Sequence, residues 1–235
     1  MENLVVNLTA GVRRETRGGV EYLVAPMTLL RERVLDGSSG PLFYPIDEIR
    51  RSTLEWSGCP VTLNHPTRNG KPVLYAEDND AMTLGFIDNS KMIGNRLTAQ
   101  AWLDVERTQR LAPELFAGIE AGRPVELSTG LATTNEPAQE FAEFDGVRFS
   151  HIARDYKPDH LALLTDRKGA CSVADGCGLL VNAEAEKHFG VFGVPGQGGY
   201  LEAEMAGKEV QKDKEVQKEK NFAPFGLPQE YLSEE

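Results

Sequence analysis

The pattern of apolar and polar positions predicts a protein built mostly from β-strands. In the segment 96–104 every second residue is apolar, namely Leu97, Ala99, Ala101 and Leu103, which is typical of a strand with one face in a core. Other segments are rich in β-branched, aromatic and aliphatic residues and are bounded by turn residues. These predicted strands are 4–8, 20–30, 60–64, 82–88, 124–131, 140–144, 147–152 and 160–164.

Two segments show the 3.6-residue period of helices. The first, 46–56, follows Pro45 and has an apolar stripe of Ile46, Ile49 and Trp56. The second, 105–121, ends before Gly122 and has a stripe of Leu111, Leu115, Phe116 and Ile119. Pro113 lies inside the second segment, so its first turns are predicted to form a separate short piece.

The order of these elements predicts a fold of the α+β or mostly β class. Hairpins are predicted over 82–104 and over 140–152, where an Asp-Gly turn joins the strands. The segments 37–45 and 67–80 are predicted to be loops. Many strands with few helices between them favour an antiparallel β-barrel or sandwich with the helices on its flanks.

The composition changes after about residue 183, which predicts two regions. Residues 1–183 are expected to form one folded domain, and residues 184–235 a linker and a charged tail. The linker-like run GVPGQGG occupies 193–199, and the sequence KEVQK occurs at 208–212 and again at 214–218. The stretch 207–220 is nearly free of large apolar residues and is expected to be a solvated helix or a disordered, scaffold-like segment.

Net charge and cysteine content limit the binding partners and the kinds of site that we expect. The net charge is −11 and the pI about 5.0, so we expect neither nucleic acid nor a membrane surface as a partner. The N-terminus lacks the features of a signal peptide, which favours a soluble intracellular protein. Cys59, Cys171 and Cys177 have no zinc-site spacing and are expected to be structural thiols. A disulfide is not expected in a reducing compartment.

Three polar residues at strand ends could form a nucleophilic site. His65 ends the predicted strand 60–64, Ser128 precedes a bend at Gly130, and His160 begins the last predicted strand. A serine becomes nucleophilic when a base removes its proton, and the base works best when a third group holds its ring. We therefore expect a Ser-His-His triad that uses no cofactor and no metal ion.

Other interpretations of these residues are open. A histidine at a strand end is usually a hydrogen-bonded structural residue, and a serine before a glycine suits an ordinary bend. A metal hydrolase could use His65, His151 and His160 with Asp155 or Asp159, although no HExxH pattern occurs. Asp159 could also orient the base in place of His160, but adjacent strand residues face opposite sides.

The run GPLFYP…PVTLNHP…ELSTGL…DHLALLTDRKGA resembles the bacteriophage prohead (capsid maturation) proteases, over roughly residues 5–175. The resemblance implies the fold of the herpesvirus assemblins, a β-barrel surrounded by helices. It also implies Ser128 as nucleophile, His65 as base and His160 as third member. Arg167 would lie near the oxyanion, while Lys168 stands where a second arginine is often found.

The resemblance further implies a serine endopeptidase of a tailed phage or prophage. Its substrates would be the scaffold protein, the major capsid protein and its own tail, cleaved in the host cytoplasm inside the prohead. A homodimer, held by a flanking helix such as 105–121, is compatible with the same family. The alternative is a catalytically inactive scaffold or capsid-assembly factor of the same fold.

Overall fold

A computed structural model of the chain describes residues 11–37, 40–69, 71–75 and 82–181. The predicted strand at 4–8 and the predicted tail at 184–235 lie outside these residues. Within them the strands are β1 (Arg13–Arg17), β2 (Val20–Arg31), β3 (Arg33–Gly37), β4 (Gly40–Tyr44), β5 (Pro60–Leu63), β6 (Thr67–Arg68), β7 (Lys71–Pro72), β8 (Thr83–Ile93), β9 (Arg96–Asp104), β10 (Leu127–Pro137), β11 (Glu143–Phe144), β12 (Val147–Arg148), β13 (His151–Leu163) and β14 (Gly178–Leu179). The helices are α1 (Ile46–Ser52), α2 (Val105–Leu111) and α3 (Pro113–Glu120), with short 3₁₀ helices at Thr53–Trp56 and Val173–Asp175.

One large sheet contains most of the strands, in the order β1-β2-β9-β8-β5-β13-β4-β3. In addition, β10 pairs with β13 and β14 pairs with β2. The pairs are antiparallel except that β13 runs parallel to both β4 and β5. The fold is therefore α+β with a dominant sheet. The closed antiparallel barrel expected from the sequence is not found among the described residues: β1 and β3 end the strand order, and the segment before β10 meets β14 only through an isolated bridge between Val125 and Leu179.

Strand β13 is longer than the sequence predicts. The hairpin expected over 140–152 ends early, since β11 and β12 pair over only two residues around Asp145 and Gly146. Both turn residues have positive φ, 52° and 77°, as a tight hairpin turn requires. The last two residues of the predicted hairpin, His151 and Ile152, and most of the predicted strand 160–164 belong to one strand, β13. The stretch between them concealed this continuity, because it is mostly polar and only Ala153 and Tyr156 are buried there.

The segment 37–45, predicted to be a loop, contains strand β4, which pairs antiparallel with β3. Its buried side chains are Leu42 and Tyr44, two residues apart, so the strand period is present but short. Two of the glycines that suggested a loop, Gly37 and Gly40, pair with each other in the two strands, and Gly40 has φ 97°. The predicted loop 67–80 likewise contains the small hairpin β6–β7.

The helices agree with the sequence pattern. Pro113 separates α2 from α3 and occupies the first turn of α3, where its missing N–H costs no helical hydrogen bond. Helix α1 and the following 3₁₀ helix place Ile49 and Trp56 fully inside the core, and α3 adds Phe116 and Ile119. None of the helices in the described ranges combines the length and the apolar character that crossing a membrane requires.

The cysteines differ from the expectation of three free thiols. Cys171 and Cys177 form a disulfide that closes the turn around the second 3₁₀ helix. Cys59 is the free cysteine of the described residues and is half-buried. Its thiol donates to the carbonyl oxygen of Glu55. Burial, with the charges of Asp159 and Glu55, raises the pKa of Cys59 to about 11, which agrees with a structural rather than a reactive thiol.

Gly85 tests the close packing of the sheet. A Cβ at this position of β8 would lie 1.8 Å from the carbonyl oxygen of Trp102, so Gly85→Ala should lower the free energy of unfolding by about 1–3 kcal/mol. Gly118→Ala is the matched control: a Cβ there would meet only the flexible side chain of Arg123, and alanine favours a helix by up to about 1 kcal/mol. Urea unfolding of both variants should give shifts of opposite sign; equal shifts would contradict the packing.

Candidate functional site

Strand β13 brings two distant parts of the chain to one place. On one side it pairs with β10, with Ser128 opposite Ala162 and Gly130 opposite His160. On the other side it runs parallel to β5, with Leu63 next to Leu163. Residues of β5, β10 and β13 itself therefore lie close together near the C-terminal end of β13.

A turn after β5 carries His65 back over β13. Asn64 adopts a left-handed conformation with φ 58°, which asparagine tolerates better than most residues. Its backbone N–H donates to the carbonyl oxygen of Leu163 over 2.9 Å, so the turn is anchored on β13. The following residue, Pro66, limits the conformations of His65. These constraints explain why a histidine placed just past the strand end has a defined position.

The two predicted catalytic histidines are in direct contact. Nδ1 of His65 lies 2.8 Å from Nε2 of His160, and the ring centroids are 5.1 Å apart in an edge-to-face arrangement. His160 is buried, with 2% of its surface exposed. The structure thus brings together two of the three residues that the sequence analysis selected.

Ser128 shares a face of the sheet with His160 but has no hydrogen bond to His65 among the described residues. Opposed residues of a ladder point to one face, and so do residues two apart on a strand. Ser128, Gly130 and His160 therefore face the same way. The imidazole lies across Gly130, where a Cβ would be only 2.2 Å from its Cε1 atom. Ser128 is buried, with 8% exposed, and among the described residues no hydrogen bond joins its hydroxyl to His65.

Asp159 contacts His160, which the alternation of a regular strand does not predict. Its Oδ2 atom lies 2.6 Å from Nδ1 of His160 and accepts the backbone N–H of Tyr75 over 2.9 Å. The ladder is irregular here: Gly130 pairs with His160, but Leu131 pairs with Pro158, so Asp159 is the extra residue of a β-bulge. A bulge re-aims side chains, and this allows two adjacent residues to meet.

Burial sets the charge state of the site. Burial, together with the neighbouring His160 and Arg167, lowers the pKa of His65 to about 4. Burial alone would raise the pKa of Asp159, but the hydrogen bonds from His160 and from the Tyr75 backbone bring it below its usual value. At neutral pH the site therefore contains a neutral His65 and an ionised Asp159.

The loop after β13 carries the candidate oxyanion residues. The guanidinium of Arg167 is exposed and lies 3.0 Å from the carboxylate of its neighbour Asp166. The loop itself is held by Glu126, whose carboxylate accepts the N–H groups of Gly169 and Val173. The sequence analysis missed Glu126. An acidic residue inside the apolar run before Ser128 was the available signal.

The residues proposed for a metal hydrolase are brought together only in part, since His65 and Asp159 both contact His160 but His151 lies far away. His151 begins β13, nine residues from His160, which corresponds to about 30 Å of strand, and its Nδ1 lies 3.0 Å from the hydroxyl of Ser150. In the described ranges no group of three or more histidine, cysteine, aspartate or glutamate residues is arranged to hold a metal ion.

Comparison with known proteins adds a distant structural similarity. No protein-family model matches the chain, and no curated protein matches its sequence. The structure of the bacteriophage T4 capsid assembly protease, gp21, is similar with a TM-score of 0.45 and 14% sequence identity. The similarity covers 68% of this chain and 92% of that chain. A similarity this distant does not identify a function for this chain.

Gly130→Ala should displace the imidazole of His160, because the new Cβ would overlap the ring. We expect the free energy of unfolding to fall by about 1–3 kcal/mol. The matched control is the same substitution in a His160→Ala background, where the space is free and the cost should be much smaller. A double-mutant cycle by urea unfolding measures this coupling, and additive effects would contradict the ring position.

His65 should remain neutral at pH values where an ordinary histidine is protonated. An NMR titration of its Cε1 proton should give a midpoint near pH 4, against a usual value of 6.5. Since the folded pKa is the lower one, the unfolded chain binds the proton first as the pH falls. The free energy of unfolding should therefore decrease from pH 6.5 to 4, and His65→Gln should remove this part of the decrease. A midpoint near 6.5 would contradict the burial of the ring.

Proposed function

We propose that this protein is a serine endopeptidase with Ser128 as nucleophile, His65 as general base and His160 as the residue that orients the base. The observation that carries the proposal is the 2.8 Å contact between His65 and His160, on the face of the sheet to which Ser128 belongs. A base held by a second side chain beside a serine is the arrangement that nucleophilic catalysis requires.

The geometry supports a defined order of proton transfers. His65 binds His160 through Nδ1, so Nε2 is the nitrogen that would take the proton of Ser128. The serine oxygen would attack the peptide carbonyl, and His65 would return the proton to the leaving amine. Water would then hydrolyse the acyl-enzyme by the same route. The Ser128–His65 hydrogen bond would form with substrate, since such bonds are often long in unbound enzymes.

The oxyanion would be stabilised from the loop that follows β13. Arg167 would have to exchange its contact with Asp166 for the substrate, and it is exposed enough to do so. Backbone N–H groups of the same loop, which Glu126 holds against the strand of the nucleophile, are the second source. A donor of this kind contributes about 3–4 kcal/mol to the transition state in other hydrolases.

The substrates are proposed from the resemblance of the sequence to prohead proteases. They are the scaffold protein and the major capsid protein, cleaved inside the prohead in the host cytoplasm. Residues 184–235 would serve as a scaffold-like tail that the enzyme removes from itself. A homodimer through α2 and α3 is compatible with this role.

A second function, an inactive scaffold or capsid-assembly factor, is favoured by one observation. Ser128 is largely buried and no hydrogen bond joins it to His65 within the described residues. A protein that had lost its activity could retain the histidine pair for stability alone. The two functions differ in whether the hydroxyl of Ser128 is needed.

Co-expression with the major capsid and scaffold proteins separates the two functions. Mass spectrometry should find new N-termini in these proteins with the wild-type chain. Ser128→Ala should lower the cleavage rate by about 10³-fold or more. The control is Ser150→Ala, the same change at an exposed serine whose hydroxyl lies 3.0 Å from Nδ1 of His151, and it should leave cleavage unchanged. Equal processing by Ser128→Ala, or no new termini with the wild type, would refute the proposal.

A further inference from the structure

We propose that Asp159 is a positioning residue of this site, which determines through His160 which ring nitrogens of both histidines carry protons. Its catalytic role rests on the proposed function, whereas its effect on the two rings can be measured without any peptidase activity. Asp159 would thus be the fourth member of a Ser-His-His-Asp chain.

The carboxylate of Asp159 is held from two directions. Oδ2 is within hydrogen-bond distance of Nδ1 of His160 and accepts the backbone N–H of Tyr75. Tyr75 comes from a segment 84 residues earlier in the chain, so the carboxylate is fixed by more than its own strand. The Asp159 side chain is 22% exposed and that of His160 2%, so water competes little for the contact between them.

The contacts and the charge of Asp159 assign a proton position to each ring when His160 is neutral. An ionised carboxylate only accepts hydrogen bonds, so Nδ1 of His160 must donate to Asp159. A neutral imidazole with a proton on Nδ1 has an accepting Nε2, so Nδ1 of His65 must donate to Nε2 of His160. The remaining nitrogen, Nε2 of His65, then has a free lone pair. This is the nitrogen that the proposed reaction needs as a base.

The same chain would stabilise the charge that forms during the reaction. When His65 takes the proton of Ser128 it becomes an imidazolium, which its buried position disfavours. A neutral histidine alone offsets this charge less than a carboxylate does. Asp159 supplies the negative charge on the far side of His160 and stays ionised throughout. The proton remains on His65 until the leaving amine takes it.

Histidine NMR tests the proton positions directly. Long-range ¹H–¹⁵N correlations on the full chain at pH 7, in a Ser128→Ala background, should show protons on Nδ1 of both His65 and His160. His65→Gln and His160→Gln assign the signals among the four histidines. Asp159→Ala should move the proton of His160 toward Nε2, and the signals of His65 should change with it. An Nε2 proton on His160 in the parent chain, or signals unchanged by Asp159→Ala, would overturn the proposal.

Kinetics test the catalytic role. In the chain with Ser128, Asp159→Ala should lower kcat by about 10–100-fold with little change in KM, since second partners of a catalytic imidazole act on this scale. Asp159→Asn keeps an accepting oxygen but removes the charge, so it should retain the Nδ1 proton of His160 and still lose kcat. Asp145→Asn, the same change in an exposed turn, should leave kcat unchanged.

The outcomes distinguish this proposal from the proposed function. If the wild-type chain cleaves substrate but Asp159→Asn retains full kcat, the positioning role fails and the peptidase stands. If the wild-type chain cleaves nothing while the NMR signals respond to Asp159→Ala as expected, the proton arrangement is supported and the peptidase fails.

Discussion

The contact between His65 and His160 is the interaction on which the candidate site depends. It exists only because β5 and β13 are parallel neighbours, because Asn64 turns the chain back over β13, and because Gly130 leaves room for the ring. Each condition comes from a different segment. The site therefore forms only when the sheet is assembled. A substitution in any of the three segments would change the positions of both imidazoles.

The bulge in β13 joins the fold to the chemistry. A regular ladder would point Asp159 and His160 to opposite faces, and the carboxylate would then be out of reach of the ring. The extra residue opposite Gly130 and Leu131 removes this restriction. Proline at 158 suits the irregular position, because it has no N–H to contribute to a ladder. The irregularity costs ladder hydrogen bonds and supplies an ionised partner for a buried histidine.

Burial and charge oppose each other at this site. A pKa lowered from 6.5 to about 4 means that protonating His65 costs about 3 kcal/mol more than in water. This keeps His65 in its accepting form over a wide pH range, but it also disfavours the imidazolium that the proposed reaction would form. Asp159, linked to His65 through His160, would stabilise that imidazolium. Under the proposed function this balance would suit a slow enzyme.

The sequence by itself determined the strand-rich class and the helix division at Pro113, because these follow from local periodicity and backbone restrictions. It predicted that His160 begins a strand, whereas His160 lies inside β13. It did not determine that β13 is continuous, that the described sheet stays open, or that Cys171 bonds Cys177. Nor did it show the contacts of Asp159 and Glu126. Those features depend on the register between segments distant in the chain, and register is decided only when the strands pair.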